Sequence, residues 1–175
     1  MTSESSISSG RKNPLADKFY DVLKSYGVDF ATGVPCGALK DIIYNLMHDE
    51  KITHVPATKE SEAVGIAAGA YLAGKRPVAY MQNSGLFNCS NDIASLLVPY
   101  KIPVLLTVTW RGTEGEDAPQ HLVTGKATCS LLDSLGVSYS VLKKENIEDV
   151  ISASFRVLDE KSLPAVVLVK RRWYL

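Results

Sequence analysis

Glu60 stands at the head of the stretch SEAVGIAAGAYLA, residues 61–73, which carries one further charge, Glu62. A helix that apolar is expected to be buried on most sides, so a carboxylate in its first turn should be partly desolvated. A desolvated acid seeks a proton partner, and here that partner could be a ring nitrogen of a bound cofactor. A simpler explanation competes with this one. Behind an N-cap at Thr58, Glu60 would complement the helix dipole, an arrangement worth about 0.3–1 kcal/mol.

Three other segments place polar side chains beside turn residues: Gly33-Val34-Pro35-Cys36-Gly37, Gln82-Asn83-Ser84-Gly85, and Arg111 to His121. None is a phosphate loop, which needs closely spaced glycines at a strand-to-helix turn or a terminal Gly-Lys-Ser/Thr. Gly33 and Gly37 flank a proline with no N–H to offer an anion, and the acids of Gly112-Thr-Glu-Gly-Glu-Asp would repel one. No Asp-rich or His-rich cluster has metal-ligand spacing. If the domain serves a phosphorylated cofactor, another chain must hold its phosphates and metal.

Alternating helical and extended patterns must position these residues. Leu15, Phe19, Val22, Leu23 and Tyr26 recur at helical spacing before Gly27, and predict a helix over 15–26. Strands are expected at 28–32, 52–55, 78–82, 104–110, 138–142 and 165–169. Helices should cover about 38–47, the Glu60 segment, 91–98, 126–135 and 147–158, with Asn83-Ser84-Gly85 a turn. VLLTVTW, residues 104–110, is apolar and β-branched nearly throughout, as a buried parallel strand should be. Strands separated by helices of this length imply an α/β, doubly wound, mostly parallel six-stranded sheet with helices on both faces. Ligands of such sheets sit beyond the carboxyl ends of the strands, where all four polar segments fall.

At 175 residues, 46% hydrophobic and 22% charged, the chain suits one well-buried domain, taken as residues 13–175 behind a Ser-rich tail, 1–12, expected to be disordered. The 19 basic and 19 acidic residues cancel, so no general field draws nucleic acid or an anionic membrane. Cys36, Cys89 and Cys129 are too far apart for a zinc site and odd in number for a disulfide framework, which fits a reducing cytoplasm. No apolar run reaches membrane-spanning length.

The stretch ATKESEAVGIAAGAYLAGKRPVAYMQNSGLFN, with GVPCGALK before it and WRGTEGEDAPQH after it, resembles the pyrimidine-binding domain of thiamine-diphosphate decarboxylases. Within that group the similarity is greatest to phosphonopyruvate decarboxylase and to the alpha subunit of sulfopyruvate decarboxylase. In the larger family a glutamate followed nine residues later by glycine marks the helix beside the cofactor. Glu60 and Gly69 have that spacing; Glu62 does not. The resemblance implies that Glu60 is catalytic and shares a proton with N1′ of the aminopyrimidine, while a 2-oxo acid loses carbon dioxide to give an aldehyde. It also implies a split enzyme. Full-length relatives carry a second domain whose Gly-Asp-Gly to Asn motif binds Mg2+ and the diphosphate, whereas this sequence stops at KRRWYL. A beta subunit would supply that domain in an alpha2beta2 or larger assembly, and this chain alone would be inactive.

Other roles follow from the same resemblance. Gln82, Asn83, Ser84 and Gly85 match the loop that faces the pyrimidine and the substrate, although ordinary turn chemistry also explains Asn-Ser-Gly. Asp117 and His121 match a segment of phosphonopyruvate decarboxylases, with Ala118 in place of the acid nearest Pro119. His121 is a candidate proton donor or anion binder, or else a solvent-facing loop histidine. Arg111 could take a phosphonate or sulfonate through its planar fork, or pair with Glu114 or Glu116. Cys36 is a candidate substrate contact. It stands where phosphonopyruvate decarboxylases carry Asp before Ser, and Pro-Cys is nearer the sulfopyruvate alpha chains. With no base nearby it is not expected to be a nucleophile. His48 and His54 are assigned to structure, and Lys40 to a solvated helix face. The implied reaction converts 3-phosphonopyruvate to phosphonoacetaldehyde and carbon dioxide. The alternatives are 3-sulfopyruvate to sulfoacetaldehyde, and a non-catalytic regulatory domain.

Overall fold

Six strands form in a computed structural model that describes residues 13–113 and 118–170. The 1–12 tail and Asp117 lie outside the described residues. The strands are β1 (Phe30–Gly33), β2 (Thr53–Pro56), β3 (Pro77–Gln82), β4 (Leu105–Trp110), β5 (Ser138–Leu142) and β6 (Ala165–Lys170). Their order is β2-β1-β3-β4-β6-β5, and every neighbouring pair is parallel. The sheet is thus wholly rather than mostly parallel. From β1 the chain goes to β2 on one side and then to β3 on the other, which opens a crevice at the carboxyl ends of β1 and β3.

Helices α1 (Pro14–Ser25), α2 (Lys40–His48) and α7 (Ile147–Lys161) cover one face. The other face takes α3 (Glu60–Leu72), α4 (Asn83–Asn88), α5 (Ser90–Asp92), a π-helical stretch Ile93–Leu97, and α6 (Pro119–Ser134). The strand pleat divides the two cores: Val78, Tyr80 and Leu105 pack toward α1, α2 and α7, and Ala79, Met81 and Leu106 toward the opposite layer. The start of α1 shows why a helix begins where it does. Asn13 Oδ1 accepts from the N–H groups of Leu15 and Ala16, and Pro14 at the first position has no N–H to satisfy.

Three expectations are corrected. Asn83-Ser84-Gly85 is the first turn of α4, not a loop: residues favoured in turns are also favoured where helices start, and buried bonds made by Asn83 select the helix. α6 begins at Pro119 rather than near 126, so His121 lies in a helical turn and not a loop. Proline at the first helical position was the available signal. The helix expected over 91–98 is a short α turn followed by π geometry, with Val98 N–H donating to Ile93 O.

Candidate active site

At the switch point β1 leads into the Gly33–Cys36 loop and β3 into α4. Gly33 has φ +154°, and a β-carbon on it would lie 2.1 Å from the Tyr80 carbonyl oxygen, so the loop can lie this close to β3 only with glycine there. Val34 N–H donates to Tyr80 O and Ala57 N–H to Gly33 O, tying the ends of three strands together. Tyr80 reaches across β1 beneath this glycine, and its hydroxyl meets His54 Nε2 at 2.7 Å. His54 is therefore a packing residue, as expected.

Glu60 is the first residue of α3 and is partly buried. Its side chain lies against α4. A β-carbon on Gly85 would be 2.2 Å from Glu60 Cγ and 2.3 Å from Cδ and Oε1, while Asn88 Nδ2 donates to Oε2 at 3.4 Å. Beneath them the buried Cys89 thiol is pushed up to about 12, first by burial and then by the charges of Asp92 and Glu60. The N-cap position belongs to Lys59, not Thr58, and makes no side-chain cap bond. Thr58 lies one residue earlier and donates from both its N–H and its hydroxyl to Glu62, whose carboxyl is held low by those bonds. The two acids are thus separated: Glu62 closes the helix start, and Glu60 faces α4.

A second cluster joins the β1, β3 and β4 ends. Cys36 Sγ lies 3.4 Å from Thr109 Oγ1 and 3.9 Å from Gln82 Oε1, and Gln82 Nε2 donates to Ser84 Oγ at 2.7 Å. Cys36, Gln82 and Ser84 are partly exposed, and Thr109 is fully buried behind them. Such a set offers a thiol, an amide and the Ser84 hydroxyl to a small polar ligand, with Thr109 bracing the thiol from behind.

The third cluster braces α6. Asn83 is fully buried; its Oδ1 accepts from Arg111 N–H, and its Nδ2 donates to Arg111 O and to Thr128 Oγ1. Its amide is spent on protein contacts. Gly112 has φ +76°, and a β-carbon there would meet the His121 carbonyl oxygen at 1.7 Å. Gly125 crosses the same contact, and its carbonyl accepts from Trp110 Nε1 at 2.8 Å. His121 thus packs its backbone against the Gly112 turn at the head of α6, and the residue is partly exposed.

The segment Gln82–Asn88 is the common element. Gln82 and Ser84 serve the Cys36 cluster, Asn83 serves Arg111 and α6, and Gly85 and Asn88 serve Glu60. The sequence reading missed Asn88 and Thr109. Asn88 repeats Gly85 at i+3, a pairing visible only once α4 is recognised as a helix. Thr109 was detectable as the hydroxyl nearest the carboxyl end of β4.

The expectation that α3 is buried on most sides holds for its sheet side only. Ala63, Val64, Ala67, Ala68 and Ala70 are buried, whereas Glu62, Gly65, Gly69 and Leu72 are exposed. Among the described residues, no heavy atom beyond the adjoining helix backbone lies within 4 Å of a β-carbon placed on Gly65 or Gly69. An apolar helix with a smooth open face begins at Glu60.

Comparison with known proteins gives the family and agrees with the fold. Residues 14–134 match the thiamine pyrophosphate enzyme N-terminal TPP binding domain. The sulfopyruvate decarboxylase subunit alpha of Methanococcus maripaludis is 40% identical over 124 residues, which are 71% of this chain and 74% of that protein. Its counterpart in Methanocaldococcus jannaschii is 38% identical over 150 residues, 85% of this chain and 89% of that one. The phosphonopyruvate decarboxylase of Streptomyces viridochromogenes is 37% identical over 145 residues, 81% of this chain and 36% of that protein. An X-ray structure named as a thiamin diphosphate-dependent enzyme from Mycobacterium smegmatis superposes with a TM-score of 0.68 at 17% identity, over 90% of this chain and 30% of that one, a likeness of fold. The chain belongs to the thiamine pyrophosphate enzymes, in their decarboxylase branch, and residues 14–134 are its N-terminal TPP binding domain.

Proposed function

We propose that this chain is the alpha subunit of a split 2-oxo acid decarboxylase that converts 3-phosphonopyruvate to phosphonoacetaldehyde and carbon dioxide. The observation that carries the reading is the Glu60 carboxylate, partly buried at the switch-point edge and seated on Gly85. Thiamine diphosphate, when bound, supplies the electron sink that decarboxylation of a 2-oxo acid requires. The residues present suit the pyrimidine half of that cofactor, because a braced carboxylate at a glycine-lined crevice is a partner for one ring N–H. Glu60 would hold the shared proton at N1′, with Gly85 giving the ring access. Gln82, Ser84 and Cys36 would bind the polar groups of the substrate, and Arg111 its anionic tail. His121, with Asp117 upstream, would donate a proton or bind an anion at the head of α6. Mg2+ and the diphosphate are assigned to a partner beta subunit in an alpha2beta2 or larger assembly. The open α3 face beside Glu60 supports a docked partner, as does the word subunit in the names of the relatives matched along most of their own length.

Sulfopyruvate is the second reading. The relatives matched along most of their own length are sulfopyruvate decarboxylase alpha subunits. Both acids carry a dianionic or anionic head on C3, and the same site chemistry would accept either. The test is to produce the chain with its partner, supply thiamine diphosphate and Mg2+, and follow aldehyde release from both substrates. Turnover of one of them is expected. Glu60→Gln should lower it by about 10²–10⁴-fold with assembly retained, and unchanged turnover in that variant overturns the catalytic reading.

A further inference from the structure

We propose that Asn88 is a positioning residue for Glu60, its side-chain amide fixing the carboxylate over Gly85 in the orientation the reaction uses. The proposal rests on the reading of Glu60 given above. It starts from the position of Glu60 at the first turn of α3, where a free glutamate would sample several staggered arrangements about its side-chain bonds. α4 removes that freedom at two points one helical turn apart. Gly85 leaves a gap into which Cγ, Cδ and Oε1 fit, and Asn88 Nδ2 meets the other oxygen, Oε2, at 3.4 Å. Among the described residues, Asn88 is the side chain that donates to Glu60.

Among the described residues, Asn88 makes no other side-chain hydrogen bond. It is exposed at the last position of α4, asparagine is a poor helix former, and the described hydrogen bond of its amide is the one to Glu60. Its chemistry suits the task. An amide donates one hydrogen bond without carrying charge, so it orients a carboxylate yet leaves it free to take and give a proton. A lysine or arginine there would form an ion pair that competes with the proton. The length of 3.4 Å suits a contact that tightens when a ligand presses on the acid.

Two measurements test the proposal. In the full chain, the side-chain amide resonances of Asn88 should move on Glu60→Ala and stay in place on Glu62→Ala. Resonances indifferent to both substitutions overturn the contact. In the enzyme assembled with its partner, Asn88→Leu should lower kcat about tenfold while KM, cofactor affinity and Tm stay within twofold or within 1 °C, because the residue is exposed and acts through Glu60. In a Glu60→Gln background the same substitution should have no further effect. Equal tenfold losses in both backgrounds, or a wild-type kcat for Asn88→Leu, overturn the positioning role. If Glu60→Gln alone leaves kcat unchanged, the catalytic reading of Glu60 fails instead, and the resonance experiment still decides whether the two residues are coupled.

Discussion

The Glu60 carboxyl group lies on the Cα of Gly85, so close that a single methyl group at position 85 would occupy its place. Gly85 is helical and its φ is not left-handed, so alanine is tolerated by the backbone and gains up to about 1 kcal/mol in helix propensity. The atoms it would strike are the end of a flexible side chain, which can swing away. Gly85→Ala is therefore expected to keep or raise Tm while displacing Glu60 and cutting turnover about 10²-fold. Thermal unfolding and turnover measured on one preparation check this, and full activity in Gly85→Ala would mean that the seat is irrelevant.

Gly112 presents the opposite situation. A β-carbon there meets the backbone of His121, at 1.7 Å from O and 2.4 Å from C, and the φ of +76° is strained for any other residue. Neither atom can rotate out of the way, so Gly112→Ala should push α6 off the end of β4. The expected cost is about 3 kcal/mol, or roughly 6–12 °C in Tm for a chain of this size. Gly125→Ala, which meets Gly112 O at 2.2 Å, should do the same from the other side. A Tm within 2 °C of wild type in both variants would contradict this packing.

Much of the fold was legible because strand and helix periods differ and the strands are short and apolar. All six strands were expected within two residues of where they form, and the crossover helices imposed parallel pairing. The site was legible to the extent that strand ends define it: Glu60, Cys36, Gln82 and Arg111 were placed at one edge by topology alone. What escaped depends on tertiary bonds. Asn83-Ser84-Gly85 has the composition of a turn, and becomes helical because the buried Asn83 side chain makes three hydrogen bonds, two to the Arg111 backbone just past β4 and one to Thr128 on α6. The head of α6 was missed because Gln120 to Gly125 has no apolar stripe; Leu122 and Val123 are exposed, and the helix is held by the Gly112–Gly125 contact. The open face of α3 could not be read either, since an apolar sequence does not say whether its own chain or another covers it.

The three thiols should differ in reactivity. Cys89 is fully buried, and its thiol is pushed up to about 12, leaving almost no thiolate at neutral pH. Cys36 and Cys129 are partly exposed. Titration of the native chain with a thiol reagent should therefore show two accessible groups, with the third reacting only on unfolding. Peptide mapping should place the protected label at Cys89. Binding of substrate or cofactor in the assembled enzyme should slow modification of Cys36, which borders Gln82 and Thr109, and leave Cys129 unaffected. Rapid labelling of Cys89 in the native chain would show that the layer beneath Glu60 is open.

The His54–Tyr80 pair makes stability depend on pH in the mildly acid range. Burial holds the His54 ring below its ordinary value of 6.5 and pushes the Tyr80 hydroxyl up to about 12. Both are neutral in the folded chain at pH 7, and the tautomer of the ring sets which of the two donates. As pH falls below about 6.5 the unfolded chain takes a proton on this histidine before the folded chain does, so the unfolded state binds more protons and stability drops. The loss continues until pH passes the lowered folded value, then levels off. Asp49 acts in a separate window: hydrogen bonds from Lys24 and then Tyr20 hold its carboxyl far below the usual range, so its contribution is lost only in strong acid. Tm should therefore decline as pH falls below about 6.5 in the wild type. His54→Gln, which keeps a polar partner for Tyr80 but does not titrate, should flatten that decline while leaving the strong-acid limb in place. An unchanged slope in this variant would assign the decline to another group.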